Sequence, residues 1–200
     1  MVKYDHEFER DAKDPYTGIC QAVDLFLPEN GEPVLSVLPS PELKDLTPDE
    51  TGFQRAAELS APVMASLGFD TGPEIFDLTV FESSEESEPL RTDGLEVVDS
   101  DLPYVGIKRE GQTISYASVN DLQEEKDKIE IYVETAEEHR SRGYGTVCVC
   151  TLRNVLIKKG YSVKYVTGTD NAPSVRVAEK AGFTKTGRRL AAVFYKLGGE

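Results

Sequence analysis

Hydrophobic and polar positions fall into two regimes along this 200-residue chain. From about residue 94 the pattern is regular. YVGIKREGQTISYASV (104–119) alternates on both sides of a Glu-Gly-Gln turn and predicts a β-hairpin. Ile129, Ile131 and Val133 then alternate with Glu130, Tyr132 and Glu134, the period of a strand. Val147, Cys148, Leu152, Val155 and Leu156 recur at helical spacing and predict a helix from Gly143 to Lys159, closed by Lys158, Lys159 and Gly160. SVKYVTG (162–168) reads as a strand, SVRVAEKAG (174–182) as a short helix ending on glycine, and RLAAVFYKL (189–197) as a last strand. Strand, strand, strand, helix, strand, helix, strand is an α/β (α+β) layout with a partly antiparallel sheet.

Before residue 94 the pattern is weaker. Residues 1–30 are polar and read as a loose segment or short appendage. EPVLSVLPS (32–40) predicts a strand, and Thr47 and Asp49 precede a helix from about Glu50 to Leu67 that Pro62 should kink or divide. EIFDLTVFE (74–82) alternates as a strand, and SSEESEP (83–89) should be exposed. The expected organisation is an acidic N-terminal region, 1–93, holding a first strand and helices, followed by a core at 94–200.

Composition narrows the function. The apolar share is 39% with no long apolar run, so no transmembrane helix is expected, and MVKYDHEFERDAKDPY lacks the apolar stretch of a secretory signal. Cys148 and Cys150 would point about 200° apart on a helix. With one further cysteine and two histidines, neither a disulfide framework nor a metal site is expected. A cytoplasmic protein follows. The net charge of −14 conceals an asymmetry: residues 1–90 hold 20 acidic against 5 basic side chains, whereas residues 141–200 hold 3 against 11. So acidic a chain is a poor nucleic-acid binder, but its basic end suits a small polyanion. A solvated surface with a chance gradient is the alternative.

The segment HRSRGYG (139–145) gives the basic end a focus. A helix start leaves N–H groups without partners, and its dipole adds positive potential. Gly143 and Gly145 would let a phosphate approach those groups, with Arg140 and Arg142 adding charge. The segment matches neither a Walker loop nor the dinucleotide fingerprint. A tight turn with surface arginines is the plainer reading.

Arg140, Gly143 and Gly145 fit Q/R-x-x-G-x-G/A after a strand, and Asn171, Ser174, Lys180, Gly182 and Phe183 fit Asn-x-x-Ser/Ala…Lys-x-Gly-Phe about thirty residues later. In both stretches the chain resembles the GNAT superfamily of acetyl-CoA-dependent N-acetyltransferases. The likeness covers about residues 95–200. The run Glu-Ile-x-Val-x-Thr…Arg-x-x-Gly looks most like a branch that includes antibiotic self-resistance enzymes. The resemblance implies a mixed, mostly antiparallel sheet with a splayed central strand pair flanked by helices. It implies acetyl-CoA as cofactor, with Val133, Glu134 and Thr135 beside the pantetheine arm. Arg140, Ser141, Arg142, Gly143, Tyr144, Gly145 and Thr146 would hold the pyrophosphate, and Asn171 and Ser174 would face the pantetheine or acetyl end.

Acetyl transfer to an amine needs a neutral nucleophile, a polarised carbonyl and a protonated leaving thiolate. The N–H of Val133 or a neighbour is the candidate oxyanion donor. Glu130 is the candidate base, with an ordinary charged strand residue as the alternative. A glutamate in histone-acetylating relatives stands one position further from the motif. That offset turns a strand residue to the other face unless a bulge absorbs it. Where many relatives carry a general-acid tyrosine, this chain has Ala178. Tyr195, water or no acid at all would then serve. His139 reads as a loop residue, and Ser174 has no histidine to make it a nucleophile. The acceptor would be an amine, cationic if the acidic front half attracts it, although surface acidity also serves solubility. The expected protein is a monomer or homodimer with no nucleic-acid, membrane or metal partner. A GNAT-fold module that binds acyl-CoA or a protein without turnover is the rival.

Overall fold

The computed structural model describes residues 1–14, 18–41, 43–98, 103–120 and 127–197. They form strands β1 (Val2–Tyr4), β2 (Ile19–Pro28), β3 (Val34–Val37), β4 (Thr71–Ser83), β5 (Leu95–Val98), β6 (Tyr104–Arg109), β7 (Gln112–Val119), β8 (Lys128–Thr135), β9 (Ser162–Gly168) and β10 (Thr184–Tyr195). The α-helices are α1 (His6–Lys13), α2 (Glu50–Ser66), α3 (Tyr144–Lys158) and α4 (Ala172–Lys180), and a 3₁₀ turn covers Glu137–His139. Strand pairing is mixed and mostly antiparallel, with β1–β3 and β8–β9 as parallel pairs. Among the described residues no helix is long and apolar enough to cross a membrane.

The chain divides into two compact units. The first takes both ends, Met1–Leu78 and Gly187–Glu200. In it, β1, β3, β2 and β10 are successive neighbours, and α1 and α2 pack on β2. Ala22, Val23 and Leu25 of β2 are fully buried with Leu35 and Val37 of β3. Residues 1–30 are therefore not loose. Adjacent Ala22 and Val23 are both buried because the register shifts there: Val23 pairs with Ala192 and Gln21 with Val193, which leaves Ala22 as an extra residue. α1 shows the core little beyond Phe8 and Ala12. Pro62 does not divide α2: it lies on the exposed side, where water can solvate the Glu58 carbonyl it leaves unbonded. Asp49 caps α2, its carboxylate accepting from the Gly52 N–H at 2.8 Å. Arg188 grips Asp77 through two bonds and also reaches Glu50.

The second unit is Thr79–Thr186. Here β9, β8, β7, β6 and β5 are successive neighbours. The predicted hairpin is β6–β7: Arg109 pairs with Gln112 around Glu110 and Gly111, both at positive φ, the left-handed geometry of a two-residue hairpin loop. α3 lies on β6–β9, and its buried set is wider than one stripe, adding Val149, Cys150, Arg153 and Asn154. The extra face is covered by α4 and by the segment after β4. Ser87 is half-buried there, and its backbone N–H and C=O both bond the Asn154 amide, so SSEESEP is exposed only in part. Arg153 is fully buried, donates to the Ala181 carbonyl at the α4 end, and lies 5.6 Å from the Phe183 ring centroid.

Candidate active site

β8 and β9 run parallel from Lys128↔Ser162 to Ile131↔Tyr165, and there their pairing stops. β8 goes on to Thr135 and β9 to Gly168. On its other edge β8 stays paired with β7 as far as Thr135. The Glu130 carbonyl accepts from Asn120 N–H, and Ala136 N–H donates to the Ile114 carbonyl, so even-numbered residues of β8 turn their backbone groups toward β7. By alternation the N–H and C=O of Val133 point into the opening between β8 and β9. Its side chain packs against the core under α3.

The chain then enters α3 by an unusual route. Ser141 has φ +61 and Gly143 φ +85. Gly143 is the N-cap, with no side-chain cap and no acidic residue in the first turn. The first intrahelical bond is Val147 N–H to the Gly143 carbonyl, so the N–H groups of Gly143, Tyr144, Gly145 and Thr146 precede the ladder. A Cβ on Gly143 would meet nothing within 4 Å, so the space before these donors is open. Gly145 serves packing instead: a Cβ there would lie 3.2 Å from Thr135 Oγ1 and 3.5 Å from Val133 Cγ2, which fixes the helix start against the end of β8. Arg140 donates from Nε to the Thr135 carbonyl at 3.1 Å, and Arg142 is exposed.

A buried polar cluster that sequence reasoning missed lies below this turn. Ser115 Oγ is 2.8 Å from Thr135 Oγ1, donates to the Glu134 carbonyl at 3.2 Å, and accepts from Cys148 Sγ at 3.8 Å. Burial pushes the Cys148 thiol up to about 11. Arg109 places its guanidinium carbon 6.0 Å from the Tyr144 ring centroid and adds a cation beside the turn. His139 lies in the 3₁₀ turn, 6.4 Å from the same ring.

Asn171 and Ser174 meet at the start of α4. The Asn171 side chain caps the helix by accepting from Ser174 N–H at 3.2 Å. Ser174 Oγ is 2.7 Å from the hydroxyl of Tyr165, the residue at which the β8–β9 pairing ends. Glu130 projects from the face of β8 opposite Ile131 and sits 3.5 Å from Lys164 Nζ, its cross-strand neighbour. Ala178 is fully buried in the core. Tyr195 belongs to the first unit, where burial and then a hydrogen bond to Glu74 raise its phenol. The structure thus gathers Val133, Thr135, Arg140 and Gly145 at one turn and Asn171 with Ser174 at another. Among the described residues no cluster of His, Cys, Asp and Glu is arranged to hold a metal.

Residues 73–183 match the model of the acetyltransferase (GNAT) family. The chain belongs to this family. Solved structures agree at the level of fold. A GNAT acetyltransferase from Novosphingobium aromaticivorans superposes with a TM-score of 0.56 at 14% identity, over 64% of this chain and 68% of its own. A GCN5-related N-acetyltransferase-like protein from Streptococcus suis gives 0.52 at 15%, over 89% and 84%. A Drosophila protein gives 0.57 at 13%, over 74% and 58%. No curated protein sequence matches the chain. GNAT membership makes it an acyltransferase, and acetyl-CoA is the cofactor of GNAT acetyltransferases. The open space before Gly143 and the uncapped donors suit a pyrophosphate.

Proposed function

We propose that this GNAT chain is an N-acetyltransferase that moves an acetyl group from acetyl-CoA to a primary amine in one ternary complex. The observation that carries it is the uncapped, glycine-opened start of α3 beside the opening between β8 and β9. In this reading the N–H groups of Gly143 to Thr146, with Arg140, Ser141 and Arg142, take the pyrophosphate. The main chain of Val133, Glu134 and Thr135 lines the pantetheine, with Asn171 and Ser174 on its far side. When bound, acetyl-CoA supplies an activated acyl group on sulfur. Val133 N–H, which faces the β8–β9 opening, would serve as the donor to negative charge on the acyl oxygen, and a fixed donor in that role lowers the barrier.

Glu130 is the proposed proton acceptor for the attacking amine. Its carboxylate lies 3.5 Å from Lys164 Nζ. Ala178 has no proton to give a leaving thiol, so that role would fall to water or to no acid at all. The alanine at position 178, where many relatives carry a tyrosine, favours a second reading, a module that holds acyl-CoA without turnover.

Calorimetric titration with acetyl-CoA, followed by coenzyme A release on adding amines, separates the two. Saturable binding, amine-dependent release and a fall of about 10- to 100-fold in kcat for Glu130→Gln support the enzyme. Binding with no release across a broad amine panel supports the module, and no binding by the folded chain overturns both.

A further inference from the structure

The face of the second unit's sheet that carries Glu130 also carries three tyrosines and one carboxylate in register. Tyr104 pairs with Ser118, which pairs with Tyr132; one rung along, Gly106 pairs with Tyr116, which pairs with Glu134. Gly106 makes room for the first ring. A Cβ there would lie 2.6 Å from Tyr104 Oη, so only glycine lets the Tyr104 ring fold across β6. The ring stacks on Tyr116, centroids 5.6 Å apart and planes 22° apart. Tyr132 meets Tyr116 at 6.0 Å and 86°, so two rings stand at a right angle. Tyr116 donates its hydroxyl to Glu134 at 2.6 Å, which fixes the carboxylate beside that corner. This bond raises the Tyr116 phenol to about 12.

Packing alone explains Tyr104 on Tyr116. It does not explain the other half of the cluster. Tyr132 remains 44% exposed, and among the described residues Glu134 takes part in no ion pair. Two lysines of the same unit are paired with other carboxylates, Lys164 with Glu130 and Lys108 with Glu96 at 2.7 Å. An exposed carboxylate without an ion-pair partner, held at the edge of an aromatic cluster, attracts an ammonium group through Coulomb and cation–π terms together.

We propose that Tyr104, Tyr116, Tyr132 and Glu134 form an ammonium subsite, and that the acceptor is a small molecule with at least two amines. One amine is held here as a cation while another is acetylated. The two roles must fall to different nitrogens, because a site that stabilises the protonated form removes the lone pair that attack requires. β8 places them on one substrate: Glu134 is adjacent to Val133, whose N–H faces the β8–β9 opening. This inference rests on the N-acetyltransferase reading above for its second half and not for its first.

The test titrates the full chain with 1,4-diaminobutane and with 1,4-butanediol at low ionic strength, by calorimetry and by tyrosine fluorescence, which is usable because the chain has no tryptophan. The diamine should bind saturably and the diol should not. Glu134→Gln and Tyr132→Leu should each weaken diamine binding by roughly tenfold, and Tyr132→Phe, which keeps the ring, should retain it. In turnover, Glu134→Gln should raise KM for the diamine well beyond any change in KM for n-butylamine. Equal behaviour of diamine and diol, or unchanged affinity in folded Glu134→Gln and Tyr132→Leu, would overturn the subsite. Diamine binding that needs Glu134 without acetyl transfer keeps the subsite and overturns the enzyme reading. Acetylation of the diamine that ignores both residues does the reverse.

Discussion

α3 and α4 begin in opposite ways. At α4 the Asn171 side chain accepts from Ser174 N–H, and the helix satisfies its own first turn. At α3 a glycine at φ +85 stands in the same position, no side chain caps the turn, and the space ahead is open. α1 and α2 follow α4, capped by Asp5 and Asp49. An N-cap side chain is worth about 1 kcal/mol, so a helix that omits one gives up stability at that end. Of the four α-helices described, only α3 does so, and it does so where β8 and β9 part. A ligand with its own negative charge is the natural cap for such an end.

The sharpest break of this contrast is Gly143→Asp. An L residue at φ +85 is strained, and a carboxylate there would repel a pyrophosphate from the uncapped donors. Affinity for acetyl-CoA should fall at least about 100-fold, roughly 2.7 kcal/mol, while thermal unfolding shows a folded protein. Calorimetry showing unchanged affinity would mean that the turn is not the cradle. Next in size is Asn171→Ala. It should cost about 1 kcal/mol of stability and lower Tm by roughly 2–4 °C. A tenfold loss of acetyl-CoA affinity in the same variant would show that Asn171 serves the ligand as well as the helix.

The smallest effect concerns Cys148, in the second turn of α3. Its thiol is raised by burial from 9.0 to about 11, against a weaker opposing effect of the bond to Ser115. A raised folded value means that this group's contribution to stability is complete below pH 9 and is lost as pH rises toward 11. All three cysteines are free and buried. A thiol reagent at pH 8 should therefore leave the native chain largely unlabelled and modify three sites in denaturant. Rapid labelling of native Cys148 would show that the α3 start opens in solution.

Much of the second unit was legible because its local signals agree with its tertiary role. Glu110-Gly111 demands left-handed φ values and receives them, Lys158 to Gly160 ends α3, and Ile129, Ile131 and Val133 alternate on one covered face. The first thirty residues were not legible. An extra residue at Ala22 shifts the register of β2 against β10, so Ala22 and Val23 are buried in succession and the two-residue period breaks. α1 has too few apolar positions to declare a face. β5 is only four residues long, and it depends on its pairing with β6 for its existence as a strand.

By itself the sequence determined the elements of the cofactor half, the glycine that must sit at positive φ before α3, and the cap that closes α4. All are local matters of backbone sterics and hydrogen-bonding reach within a few residues. Only the tertiary structure decided where β8 leaves β9, which edge the Val133 N–H faces, that Lys164 pairs with Glu130 while Glu134 takes the Tyr116 hydroxyl, and that three tyrosines from three strands meet at one corner. Those are questions of register between strands distant in sequence, and a shift of one residue in any pairing would send the same side chains to the other face.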